Sequence, residues 1–333
     1  MKANLKYAVI GSGSWATAII KILSDNNDKV GWYIRNEDNI EYLNKNKHNL
    51  NYLSSVEHKL KKIDISSNIN YIINNADVII LVVPSEHISN ELNKINIDIS
   101  NKIIMSGIKG IIPESGLLIG EHMIENFNIQ ANNFLVIAGP CHAEEVALER
   151  LSYLTIACAK KQLAKTICKD FNNNYIHTKV SDDVIGIEYA SMLKNIYALA
   201  AGIAHGLGYG DNFQSVLMSN AIREMSRFIK KRYKMKRKVT NSAYLGDLLV
   251  TGYSVFSRNR MFGNMIGKGY TVKSAKMEMK MIAEGYSSTK KAMELNLQSE
   301  KKAKIPIIEA VYEILYLRKS PKRTFKNLSD KLD

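Results

Sequence analysis

Leu5-Lys6-Tyr7-Ala8-Val9-Ile10-Gly11-Ser12-Gly13-Ser14-Trp15-Ala16 is the stretch that decides the fold class. The apolar, partly β-branched run up to Ile10 reads as a strand, and Gly11, Gly13 and Ala16 fit the pattern G-x-G-x-x-G/A. Residues 17–24 suit a helix and residues 29–34 a second strand, which completes a βαβ unit. Each small residue has a physical task. Gly11 permits the tight strand-to-helix turn, Gly13 lets the backbone approach a pyrophosphate, and Ala16 lets the helix pack close to the strand. The free amides at the start of that helix then face the anion. A glycine turn that merely joins strand to helix is the alternative, and the complete βαβ pattern weighs against it. The second strand ends in Tyr33-Ile34-Arg35-Asn36, where an acidic residue for a ribose 2′-hydroxyl is usual. Arg35 favours a 2′-phosphate instead, so NADPH is the expected cofactor. Glu37 and Asp38 follow at once and leave NADH as a possible second cofactor.

Working outward, further short apolar runs at 77–83, 102–105, 134–138 and 153–159 alternate with helical stretches. That rhythm implies a mostly parallel sheet covered on both faces, a doubly wound Rossmann-type α/β domain. From Asp182 onward the apolar residues recur at helical spacing, as in Ile187, Ala190, Leu193, Tyr197 and Ala201. We therefore expect a dinucleotide-binding domain over 1–181 and an all-helical substrate and catalytic domain over 182–333. The asparagine clusters at 44–51 and 172–174 read as loops or helix ends.

The chain of 333 residues is 46% hydrophobic and 23% charged, enough for about two domains and no case for global disorder. Three cysteines, Cys141, Cys158 and Cys168, show no paired spacing, and no secretory leader precedes the first strand, so a cytoplasmic setting is expected. The longest apolar runs are about half of the roughly 20 residues a membrane span needs, so none is expected. A formal net charge of +14 invites nucleic acid, anionic membranes or phosphorylated metabolites as partners. Base composition competes as the cause, because the chain is also crowded with Asn, Ile and Tyr. Residues 230–238 hold seven Lys or Arg in nine, most simply a solvated helix end. We expect a small-molecule substrate and no nucleic-acid partner.

Candidate chemistry lies in a few places. Lys194 sits on a helix among Ile187, Ala190, Ser191, Ala198 and Ala201, so its ammonium either serves acid–base chemistry or snorkels to solvent. Segments 106–110 and 139–145 follow strands, where an open parallel sheet binds its ligands, which draws in Lys109 and Gly139. Ser257-Arg258-Asn259-Arg260 offers a planar cationic fork beside an amide, suited to a phosphate monoester. Asp247, inside an apolar stretch, is either a helix cap or the partner of a buried cation. His142 and His205 have no neighbours that fix a role, and no metal site is expected.

Taken in order, GSGSWATA at 11–18, IKG at 108–110, GPCHAEE at 139–145, IEYASMLKNIYALAAG at 187–202, LGDL at 245–248, SRNRMFG at 257–263 and EGYSSTK at 284–290 span nearly the whole chain. This series resembles the bacterial NAD(P)-dependent glycerol-3-phosphate dehydrogenases. The resemblance implies reduction of dihydroxyacetone phosphate to sn-glycerol 3-phosphate for phospholipid synthesis by a cytoplasmic homodimer. It implies that Gly11, Gly13, Ser14, Trp15, Arg35, Lys109, Ala143, Arg258 and Glu284 contact the dinucleotide. It further implies Lys194 as the proton donor or acceptor, with Lys109, Gly139, Cys141, Lys194, Asp247, Ser257, Arg258 and Asn259 around the substrate. Two positions depart from the family: Cys141 replaces a usual Ser or Thr, and Ala16 a usual glycine. A hydroxyacid or ketopantoate-type reductase and a non-catalytic dinucleotide sensor are the competing readings.

Overall fold

The computed structural model describes residues 5–27, 29–279 and 283–333. They form two compact units, 1–108 with 112–184, and Lys109–Ile111 with Ile185–Asp333.

In the first unit the order is β1 (Tyr7–Ile10), α1 (Ser14–Asn26), β2 (Val30–Tyr33), α2 (Glu37–Asn46), β3 (Ile63–Ser66), α3 (Ile69–Asn74), β4 (Val78–Leu81) and α4 (Ile88–Leu92). It continues with β5 (Ile103–Ser106), α5 (Ile119–Phe127), β6 (Phe134–Ala138), α6 (Ala143–Ala147), β7 (Ser152–Ala157), α7 (Lys161–Phe171) and β8 (Ile176–Ser181). The strands make one sheet in the order β3-β2-β1-β4-β5-β6-β7-β8. Every residue of β1, β4 and β6 is buried, which is why these strands read as unbroken apolar runs in a sheet covered on both faces.

Three features escape the sequence pattern: both edge strands and the direction of one pair. β8, the edge strand reading Ile-His-Thr-Lys-Val-Ser, buries one residue of six. β3, an edge strand reading Ile-Asp-Ile-Ser, buries one residue of four and so carries little apolar signal. The β6–β7 pair is antiparallel, while the other neighbours run parallel. Only residues 139–151 join β6 to β7, and their one helix, the five-residue α6, packs on α1 rather than crossing the sheet. Gly139 makes the exit from β6, at φ +125°, where a Cβ would lie 2.6 Å from the Tyr153 carbonyl oxygen.

The second unit is built around α8 (Val184–Gly206), buried from Gly186 to Ala204. Around it run α9 (Asp211–Arg232), a single π-helical turn Ser242–Gly246, α10 (Asp247–Tyr253), α11 (Arg258–Gly267), α12 (Val272–Glu278), α13 (Gly285–Gln298), α14 (Pro306–Leu315) and α15 (Pro321–Ser329). Beyond Val184 no strand occurs among the described residues. Two glycines on α8 meet two on α11. A Cβ on Gly202 would stand 2.1 Å from the Arg260 carbonyl oxygen, and one on Gly263 2.2 Å from that of Leu199. Gly206 and Gly267 repeat the contact one turn on. Four-residue glycine spacing on both helices thus lets the backbones touch and fixes the start of α11 against α8.

Candidate active site

The dinucleotide turn lies between β1 and α1. Gly11 has φ +130°, and a Cβ there would lie 2.9 Å from the Val82 carbonyl oxygen, so glycine is required on both counts. Gly13 is the N-cap of α1, with no side-chain cap and nothing within 4 Å of a Cβ position. Ser14 and Trp15 form the first turn, whose amides lack partners inside the helix. An uncapped helix start beside open space fits a diphosphate, which is the test a dinucleotide site must pass. The turn is held from behind. Trp32 Nε1 donates to the Gly11 carbonyl at 2.8 Å, and Asn49 Nδ2 donates to the Ser12 carbonyl at 3.0 Å and to Thr17 Oγ1 at 2.8 Å. Asn49 was visible in the sequence only as one of a run of asparagines.

Arg35 lies two residues after β2, its side chain 70% exposed and 3.6 Å from Glu91 Oε1. Glu91 is also held by Tyr33 OH at 2.8 Å and by Lys94 Nζ at 2.7 Å, so it claims little of the Arg35 fork. Glu37 accepts a hydrogen bond from Ser67 Oγ at 2.9 Å, and Asn36 caps α2. Gly139 and Cys141 lie after β6, with Cys141 buried in the core, and Ala143 begins α6.

In the second unit Lys194 and Asp247 are 4% and 2% exposed, and the Lys194 ammonium donates to Asp247 Oδ1. Asp247 is the first residue of α10, carried to α8 by the π-helical turn. Of its two sequence readings, the partner of a buried cation is the one observed. Lys109 joins this group although it belongs by sequence to the first half of the chain. Its carbonyl accepts from Asn195 Nδ2 at 3.3 Å. The Lys194 cation, followed by burial, pushes the Lys109 amine down to about 8, against the opposing pull of Asp247 and Glu284. Arg258 adds a further positive charge felt at Lys109.

Ser257 caps α11 by accepting from Arg260 N at 3.3 Å, which leaves exposed Arg258 as the first helical residue. Asn259 is turned inward, its Oδ1 accepting from Gly285 N at 2.8 Å. Glu284 precedes Gly285 at the start of α13, and a Cβ on Gly285 would lie 2.6 Å from the Asn195 carbonyl oxygen. Asn195 therefore ties Lys109 and Gly285 to the helix that carries Lys194. The sequence reading missed it, and the available signal was an amide beside the lysine in an otherwise apolar helix. His205 pairs with Asn264 Oδ1 at 3.0 Å, away from these residues. Among the described residues no group of three or more His, Cys, Asp or Glu could hold a metal ion.

Profiles described as the N-terminus and C-terminus of NAD-dependent glycerol-3-phosphate dehydrogenase match residues 6–164 and 183–326. The chain is 34% identical over 330 residues to a glycerol-3-phosphate dehydrogenase [NAD(P)+] of Macrococcus caseolyticus, covering 98% of each chain. It belongs to the NAD-dependent glycerol-3-phosphate dehydrogenase family. A Bacillus subtilis relative of the same name is 35% identical over 314 residues, 93% of this chain and 90% of that one. The crystal structure of a glycerol-3-phosphate dehydrogenase from Coxiella burnetii matches with a TM-score of 0.89 at 26% identity, covering 98% of both chains. As a member of this family the protein is an NAD(P)-dependent oxidoreductase, and its α/β-plus-helical fold is that of the family.

Proposed function

We propose that in the family reaction, reduction of dihydroxyacetone phosphate to sn-glycerol 3-phosphate, Lys194 gives the proton and the 1–181 and 182–333 parts of the chain divide cofactor from substrate. The observation that carries this is the buried Lys194–Asp247 pair beside a second lysine, Lys109. An ammonium so enclosed is held in position by its carboxylate and can pass a proton to a carbonyl oxygen as that oxygen becomes an alcohol. The dinucleotide, when bound, supplies the hydride.

Gly11, Gly13, Ser14 and Trp15 hold its diphosphate, and Ala143 and Glu284 complete its contacts. Arg35 takes a 2′-phosphate with a guanidinium that Glu91 leaves largely exposed, so NADPH is preferred and NADH also used. Arg258 and Asn259 hold the substrate phosphate with Lys109 adding positive charge beside them, and fixing that group fixes the carbonyl. Gly139, Cys141, Asp247 and Ser257 line the substrate, and Asn259 Oδ1 also positions the Glu284 turn through Gly285. The three described cysteines are free and buried, which supports a reducing cytoplasm. A homodimer is supported by exposed apolar side chains at Tyr253, Val255, Phe256 and Met261.

The test is Lys194→Met. Turnover falls by about 10²–10⁴-fold, the usual worth of a general acid, while NADPH binding measured by fluorescence is unchanged. A variant that binds both ligands and turns over normally would remove Lys194 from the chemistry.

A further inference from the structure

The positive charge of the chain is concentrated. Residues 227–238 hold eight Lys or Arg and no Asp or Glu, and so supply eight of the formal net +14. A bias in base composition scatters lysines along a chain and does not clear a stretch of its acids.

Part of this charge has local work. Basic residues in the last turn of α9 complement its carbonyl end. Arg232 donates to the Leu295 carbonyl and to Ser299 Oγ, and Arg237 donates to the Tyr233 carbonyl at 2.9 Å. The lysines are different. Lys230, Lys231, Lys234, Lys236 and Lys238 are all exposed, and among the described residues none of them forms an ion pair with a carboxylate. Lys230, Lys234, Lys236 and Arg237 line a recess with Ser226 and Met235.

A second basic segment joins them. Arg227 Nε donates to the Lys304 carbonyl at 3.2 Å, which with the Arg232 bonds seats residues 295–304 against the end of α9. Lys301, Lys302 and Lys304 are exposed there. Leu297, in the last turn of α13, is 59% exposed, and Tyr233 is 41% exposed.

Many unpaired lysines select a surface of phosphates. Single-stranded nucleic acid also needs open aromatic faces, and the Tyr233 ring, the one aromatic ring in 229–243, is covered by the Arg237 guanidinium at 5.5 Å. An exposed leucine among lysines is what an interface of acyl chains and anionic headgroups accepts. We propose that this face is a peripheral docking surface for an anionic phospholipid bilayer. The product of the family reaction is a glycerol phosphate, and the reactions that consume it as a lipid backbone attach apolar acyl chains, chemistry that belongs at such a surface.

Vesicle flotation of the full chain tests this without requiring turnover, so the result stands apart from the catalytic assignment. Vesicles of equal parts phosphatidylglycerol and phosphatidylcholine carry the protein upward at low salt, and pure phosphatidylcholine vesicles do not. Each lysine near an anionic surface is worth about fivefold in partitioning, so changing all five to Gln lowers binding by on the order of a hundredfold or more. The variant's melting temperature and its turnover without vesicles match the parent, which separates lost binding from lost folding. Leu297→Ser removes the fraction that survives high salt. No flotation with the anionic vesicles at low salt would overturn the proposal, as would equal binding by the five-lysine variant. Tighter binding to duplex DNA than to the vesicles at the same salt would also overturn it, in favour of nucleic acid.

Discussion

Replacing Asp247 with Asn keeps volume and an acceptor oxygen but removes the charge opposite a lysine that is 4% exposed. Breaking a buried ion pair from one side typically costs about 3–5 kcal/mol, because the remaining charge keeps its desolvation penalty. An amide oxygen still accepts from the ammonium, so the lower end, about 3 kcal/mol, applies. The loss is reinforced by the Lys109 charge, which the Asp247 carboxylate helps to offset. At about 2–4 °C per kcal/mol for a unit of this size, the helical unit melts roughly 6–12 °C lower. Scanning calorimetry reads this directly. Removing both charges is close to neutral in such sites, so Lys194→Met on the Asp247→Asn background recovers most of the lost melting temperature. Turnover is lost in all three variants, so the melting temperature is the quantity that separates them. An Asp247→Asn protein that melts with the parent, or a double variant less stable than either single one, would refute the reasoning.

Arg35→Ser raises the KM for NADPH by about 10–100-fold, the worth of one charge-assisted hydrogen bond, and leaves that for NADH nearly unchanged. Equal effects on both cofactors would place Arg35 away from the 2′-phosphate. With its amine held near 8, Lys109 is charged below that pH and neutral above it, so kcat/KM for dihydroxyacetone phosphate falls as pH rises through about 8. Lys109→Arg keeps its charge and removes that limb of the profile, and a limb that persists in the Arg variant would assign it to another group. Gly202→Ala sets a methyl 2.1 Å from a carbonyl oxygen of α11, so it destabilises by about 1–3 kcal/mol or more and impairs phosphate-substrate binding. A variant as stable as the parent would mean that α8 and α11 are not in backbone contact.

What the sequence made legible was local. The β1–turn–α1 segment could be read because strand, glycines and helix lie within 20 residues, and each glycine answers a backbone demand at its own position. Strands β4 and β6 were legible because burial on both faces left them uniformly apolar. Edge strands β3 and β8 were not, since solvent on their flanks dilutes that pattern. The direction of β7 was hidden as well, because an apolar run of six residues reads alike both ways. At the site, the pairing of Lys194 with Asp247 spans 53 positions, and no local pattern records it. Only the resemblance of ordered motifs pointed there. Asn195, Asn49 and the membership of Lys109 in the helical unit are products of tertiary packing, and their residue types alone carried no such signal.

The most direct measurement is the loss of reduced-nicotinamide absorbance when purified protein, given NADPH or NADH, receives dihydroxyacetone phosphate, with pyruvate and ketopantoate as controls. Rapid oxidation with the phosphate ester alone, faster with NADPH at equal subsaturating concentration, is the predicted result. Oxidation with a carboxylate substrate, or tight dinucleotide binding without turnover of dihydroxyacetone phosphate, would contradict the assignment.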